Sequence, residues 1–298
     1  MWLSSKHQKR LLKLVSLFSV VRGYNIIVLV VAQYFVARYI ISIEQSWWDI
    51  LLDVPLFCIV AASAFASAAG YIINNFYDAA KDQINRPKKY LLEHLISQQL
   101  QLILYLLLNM LTLVFASVIS FRAVVFFLGY IFAIWLYSGA LKKLFWLSNL
   151  WSTALMILPF GALSIYYRNF DSFILYYAGY LFFLLLARDI IKDLENFKGD
   201  WVQRYQTLPV VFNNRITKGI ISLSFLFCLF PIYYLLQRSL GIMNYYFMAS
   251  IPYLGLLLLL LWRAKNQTGY LWLHNMIKVW VLAGVFSIFL IHKSLINF

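Results

Sequence analysis

Seven of the 11 acidic residues in this 298-residue chain fall into two short stretches, and their spacing limits the chemistry they can do. In the first, Asn74, Asp78 and Asp82 stand at i, i+4 and i+8. If the segment is helical, all three lie on one face. In the second, Asp189 and Asp193 are again four apart, Arg188 and Lys192 form a parallel basic row beside them, and Glu195 and Asp200 follow. A row of carboxylates facing one compartment suits a hard divalent cation. Mg²⁺ takes oxygen ligands, keeps waters, and is commonly held by carboxylates together with substrate phosphates. Metal and diphosphate turn the self-repulsion of such a row into binding, with the neighbouring Arg and Lys as partners for phosphate oxygens.

The elements that must carry these rows are transmembrane helices. Hydrophobic residues make up 63% of the chain and charged ones 12%, with a mean hydropathy of +0.77. A soluble domain averages about 45–50% apolar and about 25% charged residues, so the excess here must face lipid. Apolar runs of spanning length fall at 17–42, 54–76, 98–118, 122–140, 147–166, 172–190, 216–236, 243–262 and 271–292, each near the length of about 20 residues that crosses a bilayer. The expected fold is an all-α integral membrane protein of about nine spans, forming one polytopic domain over 1–298. The start resembles a signal peptide, but its apolar run is too long for one and holds Arg22 and Asn25, so it reads as an uncleaved first span. Ser120-Phe121-Arg122 leaves room only for a tight hairpin between the third and fourth runs. Pro159, Gly161 and Pro231 fall inside spans, where neighbouring helices can satisfy the backbone.

Lysine and arginine fix the expected orientation. The N-terminus and even-numbered loops hold 19 of the 25, and the opposite side holds five: Arg38, Arg122, Arg168, Arg238 and Lys293. The N-terminus and both acidic clusters are therefore expected in the cytoplasm. The net charge of +14 follows this membrane pattern and forms no separate basic stripe, so no nucleic-acid partner is expected, and no protein partner can be inferred. Membrane lipids are the expected neighbours: Lys6 to Lys13 would meet anionic headgroups, and Trp47, Trp48, Trp262 and Trp272 would anchor span ends. Cys58 and Cys228 sit in apolar runs as core residues. His7, His94, His274 and His292 are scattered, with no zinc-like spacing. Lys278 reads as a snorkelling lysine and Asn109 as an interhelical hydrogen-bonding residue.

The segment AAGYIINNFYDAAKDQINRPKK resembles the first signature of the UbiA superfamily, N-D-x-x-D-x-x-x-D followed by an Asn-Arg-Pro turn. ARDIIKDLENFKGDWVQRYQTLPVV is similar to the second, D-x-x-x-D with a downstream Gly-Asp and Thr-Leu-Pro. Arg22-Gly-Tyr-Asn25, Tyr137-Ser138, Lys142 and Asn149 extend the likeness across most of the chain in the family's order. There are three departures: Asn75 stands where the family usually has Asp, Asn196 where Asp is frequent, and Arg204 where Gly is usual.

The resemblance implies a helical bundle around a central cavity, with an active site on the cytoplasmic side. By the same carry-over, Asn74, Asp78 and Asp82 would hold one Mg²⁺ and Asp189 and Asp193 a second, these four aspartates with Lys142 being the catalytic set. Lys142, Arg188 and Lys192 would contact the diphosphate, with Arg22, Asn25 and Tyr137 nearby. The implied reaction is Mg²⁺-dependent prenyl transfer from a polyprenyl diphosphate, geranylgeranyl being the expected chain, to a lipid hydroxyl acceptor. The digeranylgeranylglyceryl phosphate synthase branch is the most similar. Prenylation of an aromatic acceptor keeps the same chemistry. A cation-coupled transporter would use the same acids differently, but transporter acids sit at mid-membrane, whereas these stand at span ends. Tyr71, Tyr77 and Tyr137 are placed to offer aromatic faces to a carbocation.

Overall fold

The structure is a computed structural model that describes residues 5–42, 45–145, 147–238 and 240–291, with side chains from residue 11 onward. The side chains of Lys6, His7, Lys9 and Arg10, and residues His292 and Lys293, lie outside it. Among the described residues the regular structure is helical: α1 (Ser5–Val20), α2 (Gly23–Val36, continued as a π-helical turn, Ala37–Ile41), α3 (Trp47–Leu52), α4 (Val54–Asn85), α5 (Pro87–Glu93), α6 (Gln98–Ile119), α7 (Phe121–Gly139), α8 (Leu147–Tyr167), α9 (Ser172–Val202), α10 (Leu208–Val211), α11 (Asn214–Leu236), α12 (Met243–Arg263) and α13 (Gln267–Ser287). Nine described helices are long and apolar enough to cross a membrane: α2 with its π turn, α4, α6, α7, α8, α9, α11, α12, and α13 extended to Leu290. These are the nine expected runs.

Two runs prove much longer than their apolar parts. The second run continues as helix to Asn85 and the sixth to Val202, so both acidic stretches ride on the ends of spanning helices. The first run is shorter than expected, because residues 17–20 belong to α1 and the span begins at Gly23. The break is at Arg22, whose φ of 49° is left-handed. The Phe18 ring packs over Gly23, and a Cβ there would stand 2.1 Å from it, so a larger residue would push that exposed ring aside.

The chain divides into two compact units, Met1–Val31 with Leu52–Leu141, and Ala32–Leu51 with Lys142–Phe298. In the first, α4 packs against α6 and α7. Gly70 allows the close approach to α7, since a Cβ there would meet Ile134 Cγ2 at 2.8 Å. Ser120 alone joins α6 to α7: its N–H donates to Ala116 O at 3.3 Å and its Oγ accepts from Ala123 N at 3.2 Å, which makes the expected tight hairpin. In the second unit, α9 packs on α8, α11 and α13, and Gln33 donates to the carbonyl of Pro159 at 2.9 Å, inside α8.

Helix starts follow ordinary capping chemistry. Asp53 Oδ1 accepts from Leu56 N at 3.2 Å, Asp171 Oδ1 from Phe173 N at 2.6 Å, and Asn213 and Asn266 cap α11 and α13. The end of α4 is set by Pro87. Arg86, preceding it, leaves the helical region (φ −143°, ψ 60°), and Pro87 opens α5.

The end of α9 shows why glycine suits the position that Arg204 holds. Tyr205 N donates to Asp200 O at 2.9 Å across the helix end, and Arg204 takes the left-handed position with φ 56°, where glycine carries no Cβ penalty. Arg204→Gly is therefore expected to stabilise the protein by about 0.5–1 kcal/mol, the left-handed penalty less the added unfolded-chain entropy. Arg204→Val should destabilise it. Melting temperatures of the detergent-purified variants check both signs.

Candidate active site

The first unit carries Arg22, Asn25, Asn74, Asp78, Asp82 and Tyr137, and the second carries Lys142, Arg188, Asp189, Lys192 and Asp193. On α4, the row Asn74, Asp78, Asp82 lies along the last three turns. Asp78 is buried and the other two are half-buried. One turn earlier stands Tyr71, which receives both N-terminal candidates. The Arg22 guanidinium lies 4.8 Å from its ring centroid, and Asn25 Nδ2 donates to its hydroxyl at 3.3 Å. The R-G-Y-N corner is thereby fastened at the start of the acidic row. Tyr71 gives its ring face to Arg22, while Tyr77 is exposed and Tyr137 half-buried in the last turn of α7.

The Asn-Arg-Pro turn brings in two residues that the spacing argument did not single out. It folds α5 back so that Lys89 Nζ lies 3.6 Å from Asp82 Oδ2 and 3.4 Å from Glu93 Oε1. Glu93 is buried and accepts from Ser19 Oγ at 2.8 Å. Asn75 faces elsewhere: its Nδ2 donates to Gln101 Oε1 at 3.5 Å. Gln101 in turn donates to the carbonyls of Glu93 and Ile96. The Asp-to-Asn departure at this position thus falls on a packing contact with α6.

In the second unit, α8 supplies the partners of the α9 acids. Asn149 Nδ2 donates to Asp189 Oδ2 at 3.2 Å and to Asp193 Oδ2 at 2.8 Å, so one amide nitrogen gathers both carboxylates. Ser152 Oγ donates to Asp189 Oδ2 at 2.6 Å. Asn149 and Ser152 are buried and stand three apart on one face of α8. Ser152 was legible only as a polar residue in an apolar span. The acidic row continues along α9 through Asn196 and Asp200, both buried.

Lys142 is buried in the turn Leu141–Lys143 that precedes α8. The loop after α9 clips that turn: Gln206 N donates to Lys143 O at 3.1 Å, and Lys143 Nζ lies 5.9 Å from the Tyr205 ring centroid. Arg188, on the neighbouring face of α9, has its Nη2 3.2 Å from His274 Nε2. His274 Nδ1 lies 3.2 Å from Glu195 Oε2. A histidine that showed no metal-ligand spacing in the sequence is thus tied to a predicted site residue.

The sequence profile of the UbiA prenyltransferase family matches residues 27–289. The chain belongs to the UbiA prenyltransferase family. It is therefore an integral, multi-pass membrane protein, in keeping with the nine apolar helices of spanning length among the described residues. The chain is similar to the digeranylgeranylglyceryl phosphate synthase of Thermococcus sibiricus, with 34% identity over 149 residues, 48% of this chain and 51% of that one. With the synthase of Haloquadratum walsbyi it shares 28% identity over 218 residues, 70% and 73% of the two chains. The match thus spans about half the length of the first relative and nearly three quarters of the second. The fold matches a solved digeranylgeranylglyceryl phosphate synthase with TM-score 0.68, 19% identity, and coverage of 93% of this chain and 97% of that one. It also matches a UbiA homologue from Archaeoglobus fulgidus bound to GPP and Mg²⁺, with TM-score 0.66, 15% identity, and coverage of 92% and 99%.

The donor set of this chain fits a divalent hard cation. Among the described residues no three Asp, Glu, His or Cys side chains converge into a closed metal cage. The carboxylates form open rows, and an open oxygen set is what Mg²⁺ completes with water and phosphate oxygens. The shared Asn149 amide holds Asp189 and Asp193 in register while accepting no negative charge itself. Removing a group that orients metal ligands costs about 10–100-fold in metal affinity. Asn149→Ala and Ser152→Ala are therefore each expected to raise the Mg²⁺ concentration needed for half-maximal thermal stabilisation by about tenfold. A Mg²⁺ titration of the melting temperature, with inorganic pyrophosphate present, reads the shift.

Proposed function

We propose that this protein transfers a prenyl group from a polyprenyl diphosphate, geranylgeranyl diphosphate being the expected donor, to the hydroxyl of a lipid glycerol phosphate such as geranylgeranylglyceryl phosphate. The observation that carries the reading is the carboxylate pair Asp189–Asp193 gathered on Asn149, with Arg188 on the adjacent face of the same helix. The names of the curated relatives support the glycerol phosphate acceptor, and Mg²⁺ with GPP or DMAPP in structural neighbours supports the metal and the donor class.

In this reading Asn74, Asp78 and Asp82 hold one Mg²⁺, and Asp189 and Asp193 hold a second. Bound Mg²⁺ supplies neutralisation of the charge that grows on the departing diphosphate. Lys142, Arg188 and Lys192 bind the diphosphate oxygens, and Arg22, Asn25 and Tyr137 flank the site. The bond between the allylic carbon and the diphosphate oxygen breaks, and its electron pair leaves with diphosphate. The acceptor hydroxyl oxygen forms the new C–O bond and gives up its proton. Apolar and aromatic walls keep water from the electron-poor carbon. The Lys and Arg asymmetry supports a cytoplasmic side for the N-terminus and both acidic rows.

Turnover of geranylgeranyl diphosphate by the purified protein, with and without Mg²⁺, tests the proposal. Geranylgeranylglyceryl phosphate and a dihydroxynaphthoate are offered separately. Mg²⁺-dependent diphosphate release with an ether product from the first acceptor is the expected result. Product from the aromatic acceptor alone would move the protein to quinone-type prenylation, and no release with either would overturn the enzyme reading. Asp78→Asn and Asp189→Asn, which keep side-chain volume, are expected to abolish turnover with the melting temperature preserved. Full activity in either would remove that residue from the metal set.

A further inference from the structure

Among the buried ionisable groups of the second unit that the diphosphate reading leaves unused are Glu195, 6% exposed, and His274, 8% exposed. A buried carboxylate is expensive unless a specific partner satisfies it. Here the partners form a chain. Arg188 and Glu195 are seven residues apart on α9, two turns along nearly the same face, which separates their backbones by about 10.5 Å. His274, on the neighbouring α13, bridges that gap, with Nε2 3.2 Å from Arg188 Nη2 and Nδ1 3.2 Å from Glu195 Oε2.

The donors settle the tautomer. A guanidinium has only N–H groups, so His274 Nε2 must accept, and the imidazole proton is on Nδ1, donating to Glu195. A ring protonated on both nitrogens would set one N–H against another beside a fixed positive charge. With its Nε2 lone pair given to Arg188, the imidazole is an acceptor for that cation and has no lone pair left to act as a base. Glu195 fixes the ring's orientation and enriches Nε2, as an outer carboxylate does for an imidazole ligand.

We infer that His274 is a positioning residue for Arg188, holding the guanidinium in place for the diphosphate, with Glu195 fixing the imidazole's orientation and tautomer. The inference rests on the assignment of Arg188 to the diphosphate. One of five N–H groups is spent on the imidazole, and the planar fork keeps its geometry while it does so. A phosphate oxygen thereby meets a donor whose side-chain entropy is already lost.

Binding of inorganic pyrophosphate with Mg²⁺ to the full chain in detergent, read by calorimetry, tests this. His274→Ala should weaken binding about tenfold, the scale of one hydrogen bond to a charged group, and His274→Gln, whose amide both accepts and donates, should recover most of it. Added to Arg188→Ala, His274→Ala should cause no further loss, because a residue acting through Arg188 has nothing left to position. In turnover, KM for the prenyl diphosphate should rise while KM for the acceptor stays put. Glu195→Gln, which keeps side-chain volume, repeats the test without a cavity and should weaken pyrophosphate binding about threefold.

Wild-type affinity in both His274→Ala and Glu195→Gln, or a His274→Ala loss that adds in full to that of Arg188→Ala, would overturn the inference. The diphosphate assignment would stand in that case, since the wild type still binds. No pyrophosphate binding by the wild type would bring down both.

Discussion

Lipid can neither solvate a charge nor hydrogen-bond a backbone, and this constraint decides where chemistry can be placed in the chain. The hydrocarbon layer is about 30 Å thick. Helices α4 and α9 have 32 and 31 residues, which at 1.5 Å each is about 47 Å of helix. About a dozen residues of each outrun the apolar layer: on α4 they carry Asn74, Asp78 and Asp82, while on α9 the row starts with Asp189 at the edge of the layer and runs into the excess through Asp193. The apolar stretch of each helix is therefore a shaft, and its last turns are a rigid mount for carboxylates. A loop would not hold side chains four residues apart on one face; a continuing helix does so by its own period. Both shafts begin at an aspartate cap, Asp53 or Asp171, at their other end.

Each row is held by a different kind of partner. On α9 the neutral donors Asn149 and Ser152 gather Asp189 and Asp193 without cancelling their charge. On α4 the terminal acid meets a cation, Lys89, shared with Glu93. An incoming divalent ion at Asp82 would compete with an ammonium that has a second carboxylate to retreat to. The N-terminal corner meets the same helix at Tyr71, where cation–π contact and hydrogen bond come from residues three apart. Within the second unit, buried hydroxyls tie helices together, such as Tyr180 between Tyr246 and Ser250 at 3.1 Å each.

Much of this was legible in the sequence because hydropathy and i, i+4 spacing are both one-dimensional signals. The nine spans, the α6–α7 hairpin and the two acidic rows followed from them. What escaped were features set by packing between elements. Run 17–42 looked continuous because Arg22-Gly23 is too short a signal to mark a corner, yet the left-handed turn at Arg22 ends one helix and starts another. Ser152 and His274 meet site residues on another helix at sequence distances that no periodicity encodes, and Lys89 reaches Asp82 only because the Asn-Arg-Pro turn folds α5 back. The departures were legible as departures only. Asn75 became a packing residue, and Arg204 a left-handed helix end, once their backbones had a place.

With Ser120 as their only connection, α6 and α7 reach the membrane during synthesis as a single object. Neither can settle across the bilayer while the other waits in water, since no slack chain lies between them. The pair must partition together, carrying its turn to the far side. That turn is nearly ideal cargo: one serine whose hydroxyl and amide are already satisfied by the two helices it joins, and a single nearby charge, Arg122. About 30 apolar residues enter the bilayer with that one turn. The hairpin then stands as a finished wall when the rest of the chain arrives.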